Sequence, residues 1–386
     1  MKKEIFVQHL IKTFLLFLFC ASPVMAKGQV KIRLFSEKQP SSTLFAVTKG
    51  SYTFESYNGE RSQLREGDYL VISLSNEKLG VKNGTAPAFY CDSISLVSNE
   101  EGGRFTLRIN GQSPERRRYS GNLGCKPDMG TMVFINQVDI EEYVAGVVRA
   151  EGGPGRDKEY IKTQAILART YLYKYIDKHI IDGFDLCDDT HCQAYFGITD
   201  DTSIVQAVEA TKGMVIIDAD SVPILAAFHS NCGGETARSE DVWLTGLPYL
   251  TKKTDPHCRS SNNALWEKTI PLDTWVEYLK NKGYNGTNIN ELNFTQTTRK
   301  PKYVAGEFSF PLTTIRTDFG LRSTFFSIKV RDDKIVISGK GYGHGVGLCQ
   351  EGAMQMALKG YSYEDIIEFY YTGATISKVF KTETEQ

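Results

Sequence analysis

The stretch VDIEEYVAGVVRAEGGPG, Val138 to Gly155, is where the chain changes its period. Upstream lie short runs rich in β-branched and aromatic residues, KIRLF, YLVISL, RFTLRI and TMVFI, punctuated by Gly, Asn and Ser, the pattern of consecutive strands. Within the stretch Ile140, Tyr143, Val144, Val147 and Val148 recur at the spacing of one helix face. Asp139 followed by Glu142 is a helix-start signal, and GGPG must stop the helix. A β-rich lobe over residues 27–133 therefore hands over to a mixed helix and strand core, an α+β fold.

The core reads as residues 134–258. It carries a second helix from about Asp157 to Lys178, then strands GMVIID and PILAAFHS. Residues 259–306 are polar, with one helix in LDTWVEYLKNKG, and read as an inserted subdomain. Residues 307–380 return to the core through a hairpin, FFSIKV and KIVISG, and two helices that each end at glycine, QEGAMQMALKG and SYEDIIEFYYTG.

The 386 residues are 24% charged and 11% aromatic, an ordinary globular composition. Residues 1–26 have early lysines, an apolar run from Phe14 to Phe19 and a small-residue cleavage site at Val24-Met25-Ala26, the marks of a secretory signal peptide. The expectation is an exported protein of the periplasm, the cell envelope or the extracellular space, with no membrane anchor in the mature chain. Without that segment, 42 basic residues face 45 acidic ones, which argues against nucleic acid as a partner. Seven cysteines remain in what is expected to be an oxidising compartment, and a disulfide between Cys232 and Cys258 would tie two loops together.

Glu151 is the first candidate for chemistry. It lies three, four and seven residues after Val148, Val147 and Val144, so it extends the apolar face of its helix. A carboxyl on a half-buried face at the negative end of the helix dipole is hard to ionise, which is how a general acid is made. On the next helix Lys162 and Arg169 are seven apart and share a side, so they are candidates to grip an anionic ligand group or to form a solvated face. In DLCDDTHCQAYFG, residues Cys187, His191 and Cys192 offer two thiols and an imidazole for zinc, with His179 or water as a fourth ligand; a Cys187–Cys192 disulfide is the rival. His229, Ser230 and Asp241 have the residue types of a hydrolase triad but lack a nucleophile elbow. In GKGYGHGVGLCQEGA, glycines 339, 341, 343, 345 and 347 alternate, so in an extended strand one face would be bare, open to a bulky ligand or another backbone.

Taken in order, EEYVAGVVRAE, IKTQAILARTYLY, DLCDDTHCQAYFG, AVEATKGMV, AAFHSNCGGET, EDVW, PYL, GKGYGHGVGLCQEGAMQMA and GYSYEDIIEFYYTGA resemble the SpoIID/LytB family, named for a sporulation protein and an amidase enhancer. The resemblance covers most of Val138 to Pro256 and Gly320 to Lys378. It implies a lytic transglycosylase that cuts peptidoglycan strands, preferring strands whose peptide stems an amidase has removed. It puts the catalytic glutamate on Glu151, places Lys162, Arg169 and Tyr249 along the cleft, and implies a zinc near Cys187, His191 and Cys192. On this reading Lys162 and Arg169 bind the lactyl carboxylate of muramic acid, the bare glycine face receives the sugar strand, and His344 and Gln350 offer it hydrogen bonds. A cell-wall amidase is the implied partner, and the alternative is a non-catalytic wall-binding enhancer of that amidase.

Overall fold

The computed structural model describes residues 28–110 and 115–379, so the signal-peptide segment lies outside the described residues. The β-rich lobe is two sheets packed face to face. The first has seven strands, in spatial order Leu186–Cys187, Gln29–Leu34, Thr131–Asp139, Asn122–Asp128, Ile94–Ser98, Ser51–Ser56 and Arg61–Arg65. The second has six, Glu115–Ser120, Arg104–Ile109, Ser42–Lys49, Tyr69–Ser75, Lys78–Asn83 and Phe89–Cys91. The alternation follows from the sequence: in Gln29–Leu34 every second residue, Val30, Ile32 and Leu34, is buried. Strand Leu186–Cys187 joins the edge of the first sheet, parallel to Gln29–Leu34, and fastens the cysteine and histidine loop to the lobe.

Eight helices occur among the described residues: α1 (Ile140–Glu151), α2 (Lys158–Tyr175), α3 (Thr202–Ala210), α4 (Glu240–Trp243), α5 (Leu272–Asn281), α6 (Leu312–Asp318), α7 (Gln350–Leu358) and α8 (Tyr363–Tyr370). None is long and apolar enough to cross a membrane. Strand Thr131–Asp139 runs directly into α1, whose N-cap Asp139 accepts from the backbone of Glu141 and Glu142. All five residues of the expected apolar face are buried. Gly146, in mid-helix, costs about 1 kcal/mol relative to alanine. Its position explains it, since a Cβ there would lie 2.4 Å from the Gly197 carbonyl and 2.5 Å from the Tyr195 ring.

One hydrophobic core runs from Val30 to Ala374 and unites the β lobe with α1, α2, α3, α7 and α8. A second, smaller core gathers Ile270, Trp275, Leu279, Tyr303, Leu312, Ile328 and Ile337. The inserted subdomain is thus wider than 259–306: it extends to the hairpin Phe326–Arg331 and Lys334–Lys340, whose second strand pairs with Leu265–Pro271. The hairpin's apolar residues close this second core, which a boundary drawn on polarity could not show.

The glycine run departs from expectation. The strand ends at Lys340, and Gly341, Gly343, Gly345 and Gly347 all have positive φ, so the segment is a chain of left-handed turns and not an extended strand. Its bare side is filled by the protein itself. A Cβ on Gly347 would meet the Ala227 carbonyl at 2.1 Å, and one on Gly345 the Arg299 guanidinium at 2.8 Å. Backbone hydrogen bonds from Asn231 to Tyr342, Ala237 to Gly345 and Leu348 to Ala227 lock it in place. What approaches the glycines is residues 227–237 together with Trp266 and Arg299.

Candidate active site

Glu151 is the last residue of α1, and Gly153, at φ +76°, turns the chain away from it. Its side chain is half-buried and Oε1 accepts a hydrogen bond of 2.9 Å from the Ala194 backbone. Burial pushes the Glu151 carboxyl up, and the Ala194 hydrogen bond opposes this in part. The close contact of Gly146 with residues 195–197 holds that donor against the helix end. From the other side Gln350, the first residue of α7, donates through Nε2 to the Glu151 carbonyl at 3.1 Å. Residues 151, 194 and 350, far apart in sequence, thus meet at one point.

Three buried polar side chains nearby escaped the sequence reading. Gln164 lies against Gly152, and its Nε2 has no hydrogen-bond partner. The amide nitrogen of Gln193, next to Ala194, is likewise unpartnered, and the Tyr160 hydroxyl sits close to Gln350 without a well-formed hydrogen bond. Unsatisfied buried donors cost free energy, and each of these three belongs to a residue beside the segments that hold Glu151, Ala194 or Gln350. Tyr160 and Gln164 sit four apart on an otherwise apolar helix face, which is the signal that was legible.

The other expected site residues fall elsewhere. Arg169 is fully buried; its guanidinium forks onto Glu141 at 3.1 and 2.5 Å and donates to the carbonyls of Met214 and Val208. It is thus a structural cation, not a ligand for a sugar carboxylate. Lys162 is partly exposed, paired with Glu159 at 2.9 Å and seated over the Tyr363 ring. Tyr249 is buried and its hydroxyl accepts from the Leu225 backbone. Both nitrogens of His344 are used internally: Nε2 donates to the Phe228 carbonyl and Nδ1 accepts from the Val346 backbone, while burial pulls the ring down to about 4, so it stays neutral at pH 7. The triad does not form, because His229 Nδ1 bonds to the Val346 carbonyl, its Nε2 has no partner, and Ser230 accepts from Asn263.

The cysteine and histidine loop does converge. His179, Cys187, His191 and Cys192 offer ligand atoms that all lie within 4.8 Å of one another. Cys192 Sγ is 3.5 Å from His179 Nε2 and 3.8 Å from His191 Nδ1, and Cys187 Sγ is 3.5 Å from His191 Nδ1. A tetrahedral zinc with ordinary bond lengths places sulfur and nitrogen ligands about 3.6 Å apart. His179 Nδ1 rests 3.3 Å from Asp182, the outer carboxylate that commonly orients a metal-binding imidazole. The residues present fit zinc. Asp188, inside the loop, accepts from Phe35, Ser36 and Arg117 and fixes the loop on the β lobe.

The raised Glu151 carboxyl has a consequence for stability. The folded chain holds its proton more tightly than the unfolded chain, so this contribution is present at acid pH and is lost as pH rises through the elevated folded value. Glu151→Gln, which keeps the acceptor for Ala194, is expected to leave stability unchanged near pH ~4 and to raise it by about 0.5–2 kcal/mol near pH ~7, as when a strained active-site group is relieved. Urea unfolding at the two pH values checks this; equal effects at both would remove burial as the cause.

Comparison with known proteins places this geometry in context. The family model described as stage II sporulation protein, SpoIID, matches residues 128–217, the window that contains Glu151 and all four residues of the cysteine and histidine cluster. An uncharacterised protein of Brachyspira hyodysenteriae is 30% identical over 336 residues, 85% of this chain and 88% of that one. The amidase enhancer of Bacillus subtilis is 29% identical over 80% of this chain, which spans about half, 54%, of the enhancer's length. The stage II sporulation protein D of Bacillus subtilis is 30% identical over 63% of this chain and 76% of its own length. A relative 30% identical, of which this chain covers 76%, together with a family model that spans the helix ending in Glu151 and the loop that binds it, means that this chain belongs to the SpoIID/LytB family.

Proposed function

We infer that the protein is a lytic transglycosylase of the cell wall, with Glu151 as its single acid and base. The observation that carries this reading is the half-buried Glu151 carboxyl, raised by burial, with no carboxylate among the described residues contributing to its ionisation. Oε1 is held by Ala194, so the transferable proton belongs on Oε2. As acid, Glu151 protonates the glycosidic oxygen between N-acetylmuramic acid and N-acetylglucosamine. As base, it then takes the proton from the muramic C6 hydroxyl, whose oxygen closes on C1 of the same ring. Water does not enter, so the paired carboxylates of a hydrolase are not required. The buried side chains of Tyr160, Gln164 and Gln193, and the Gln350 amide that donates to the Glu151 carbonyl, back the catalytic helix end from inside the protein. Export to the envelope, inferred from residues 1–26, brings the protein to this substrate. Digestion of purified glycan strands tests the reading.

The relative named as an amidase enhancer supports a second reading, a wall-binding protein that raises the turnover of a muramoyl amidase. Such a protein retains glycan without shortening it.

On the same reading His179, Cys187, His191 and Cys192 hold one structural zinc, which when bound closes the loop that delivers the Ala194 donor to Glu151. Replacing Cys187 and Cys192 together by serine is expected to remove about one zinc per chain. Metal also leaves in acid, because the ligands must be deprotonated to bind it. If the variant's metal content equals the parent's and the parent's peptide map joins Cys187 to Cys192, the disulfide reading replaces zinc.

A further inference from the structure

We propose a second metal site, built from Cys232, Asp255, Cys258 and Cys349, that takes a zinc-like cation and clamps the glycine run to α7. These four residues come from three separate segments, all are buried, and their ligand atoms lie within 4.8 Å of one another. Cys232 Sγ is 3.3 Å from Cys258 Sγ and 3.2 Å from Asp255 Oδ2. In a tetrahedral zinc site those separations are about 3.8 and 3.5 Å, so shifts of about 0.5 Å would admit the ion. Three soft thiolates and one carboxylate select zinc over magnesium or calcium, which prefer oxygen.

The surroundings are those of metal ligands rather than of spare thiols. Cys349 Sγ accepts from the backbone of Cys232 at 3.2 Å and of Gly352 at 3.4 Å. It is the N-cap residue of α7. Asp255 is fully buried, its oxygens accepting from the His257 backbone and the Tyr370 hydroxyl, and it makes no ion pair among the described residues. A buried carboxylate facing three sulfurs lacks a cation. The buried guanidinium of Arg299 does not supply one, since it donates to the carbonyls of Cys232 and Glu235. Gly352 lets α7 approach Asp255 closely, since a Cβ there would lie 2.2 Å from the Tyr370 hydroxyl and 2.4 Å from Asp255 Oδ2. A Cys232–Cys258 disulfide would use two sulfurs and leave Cys349 and Asp255 converging on nothing.

The site joins loop 231–234, loop 255–258 and the start of α7, so it braces Gln350 against Glu151. It is independent of the catalytic reading and holds for a wall-binding enhancer too. The test uses the full chain, exported, purified without chelator and supplied with zinc. The variant lacking Cys187 and Cys192 is expected to retain about one zinc per chain. Cobalt in its place is expected to give a thiolate-to-metal charge-transfer band. Adding Cys349→Ser, which still caps α7, together with Asp255→Asn, which still accepts from Tyr370, is expected to abolish both signals while the far-UV spectrum persists. Metal-free protein with Cys232 and Cys258 joined in the peptide map would overturn the proposal, as would undiminished zinc in the fourfold variant. Should the fourfold variant fail to fold, the metal content and cobalt spectrum of the protein lacking only Cys187 and Cys192 decide alone.

Discussion

Glu151→Gln is expected to reduce cleavage of stem-free glycan strands by about 10²–10⁴-fold while the protein stays folded, because positioned acid and base catalysis contributes on that scale. The substitution keeps the shape of the side chain and the acceptor for the Ala194 hydrogen bond, and it removes only the proton that must move. The loss therefore falls on kcat, with KM little changed, since glycan binding rests on other groups. In the parent, activity declines as pH rises through the Glu151 pKa, and burial moves that limb above the ordinary carboxylate range. Full activity in the variant would remove Glu151 from the mechanism.

The second large effect is on stability. Arg169→Ala is expected to cost about 3–5 kcal/mol, the usual penalty for stripping one partner from a buried ion pair. That is a substantial share of the 5–15 kcal/mol typical of whole domains. Glu141 would lose both guanidinium hydrogen bonds, and the Met214 and Val208 carbonyls would lose their donor, so the packing of α1 on α2 would open. Denaturant unfolding should show the shift, whereas KM measured on the folded fraction should not change. Added salt should not mimic the substitution, because a buried pair is only weakly screened. A raised KM with unchanged unfolding would return Arg169 to the ligand surface.

Local pattern was legible where one segment carries its own answer. The start, face and end of α1 follow from Asp139, the apolar spacing and GGPG, and the half-buried placing of Glu151 follows from them. The cysteine and histidine loop was legible for the same reason, and His179, eight residues upstream of Cys187, completes it. Misreadings arose where a distant segment decides. Arg169 shares a helix side with Lys162, but Glu141, 28 residues earlier, captures it. The alternating glycines suggested a strand because period two presumes an extended backbone; positive φ breaks that premise from Gly341 onward, and residues 227–237 with Trp266 and Arg299 fill the gap. Cys232 and Cys349 are 117 residues apart, so their meeting with Asp255 has no local trace.

The ends left by cleavage distinguish a lyase from a hydrolase and from a binding protein. Glycan strands freed of peptide stems by an amidase, digested with the purified protein and weighed, are expected to yield fragments ending in 1,6-anhydro-N-acetylmuramic acid, one water lighter than hydrolysis gives. Hydrated ends would make the protein a hydrolase, and intact strands retained by the protein would contradict the lyase reading in favour of a binding protein.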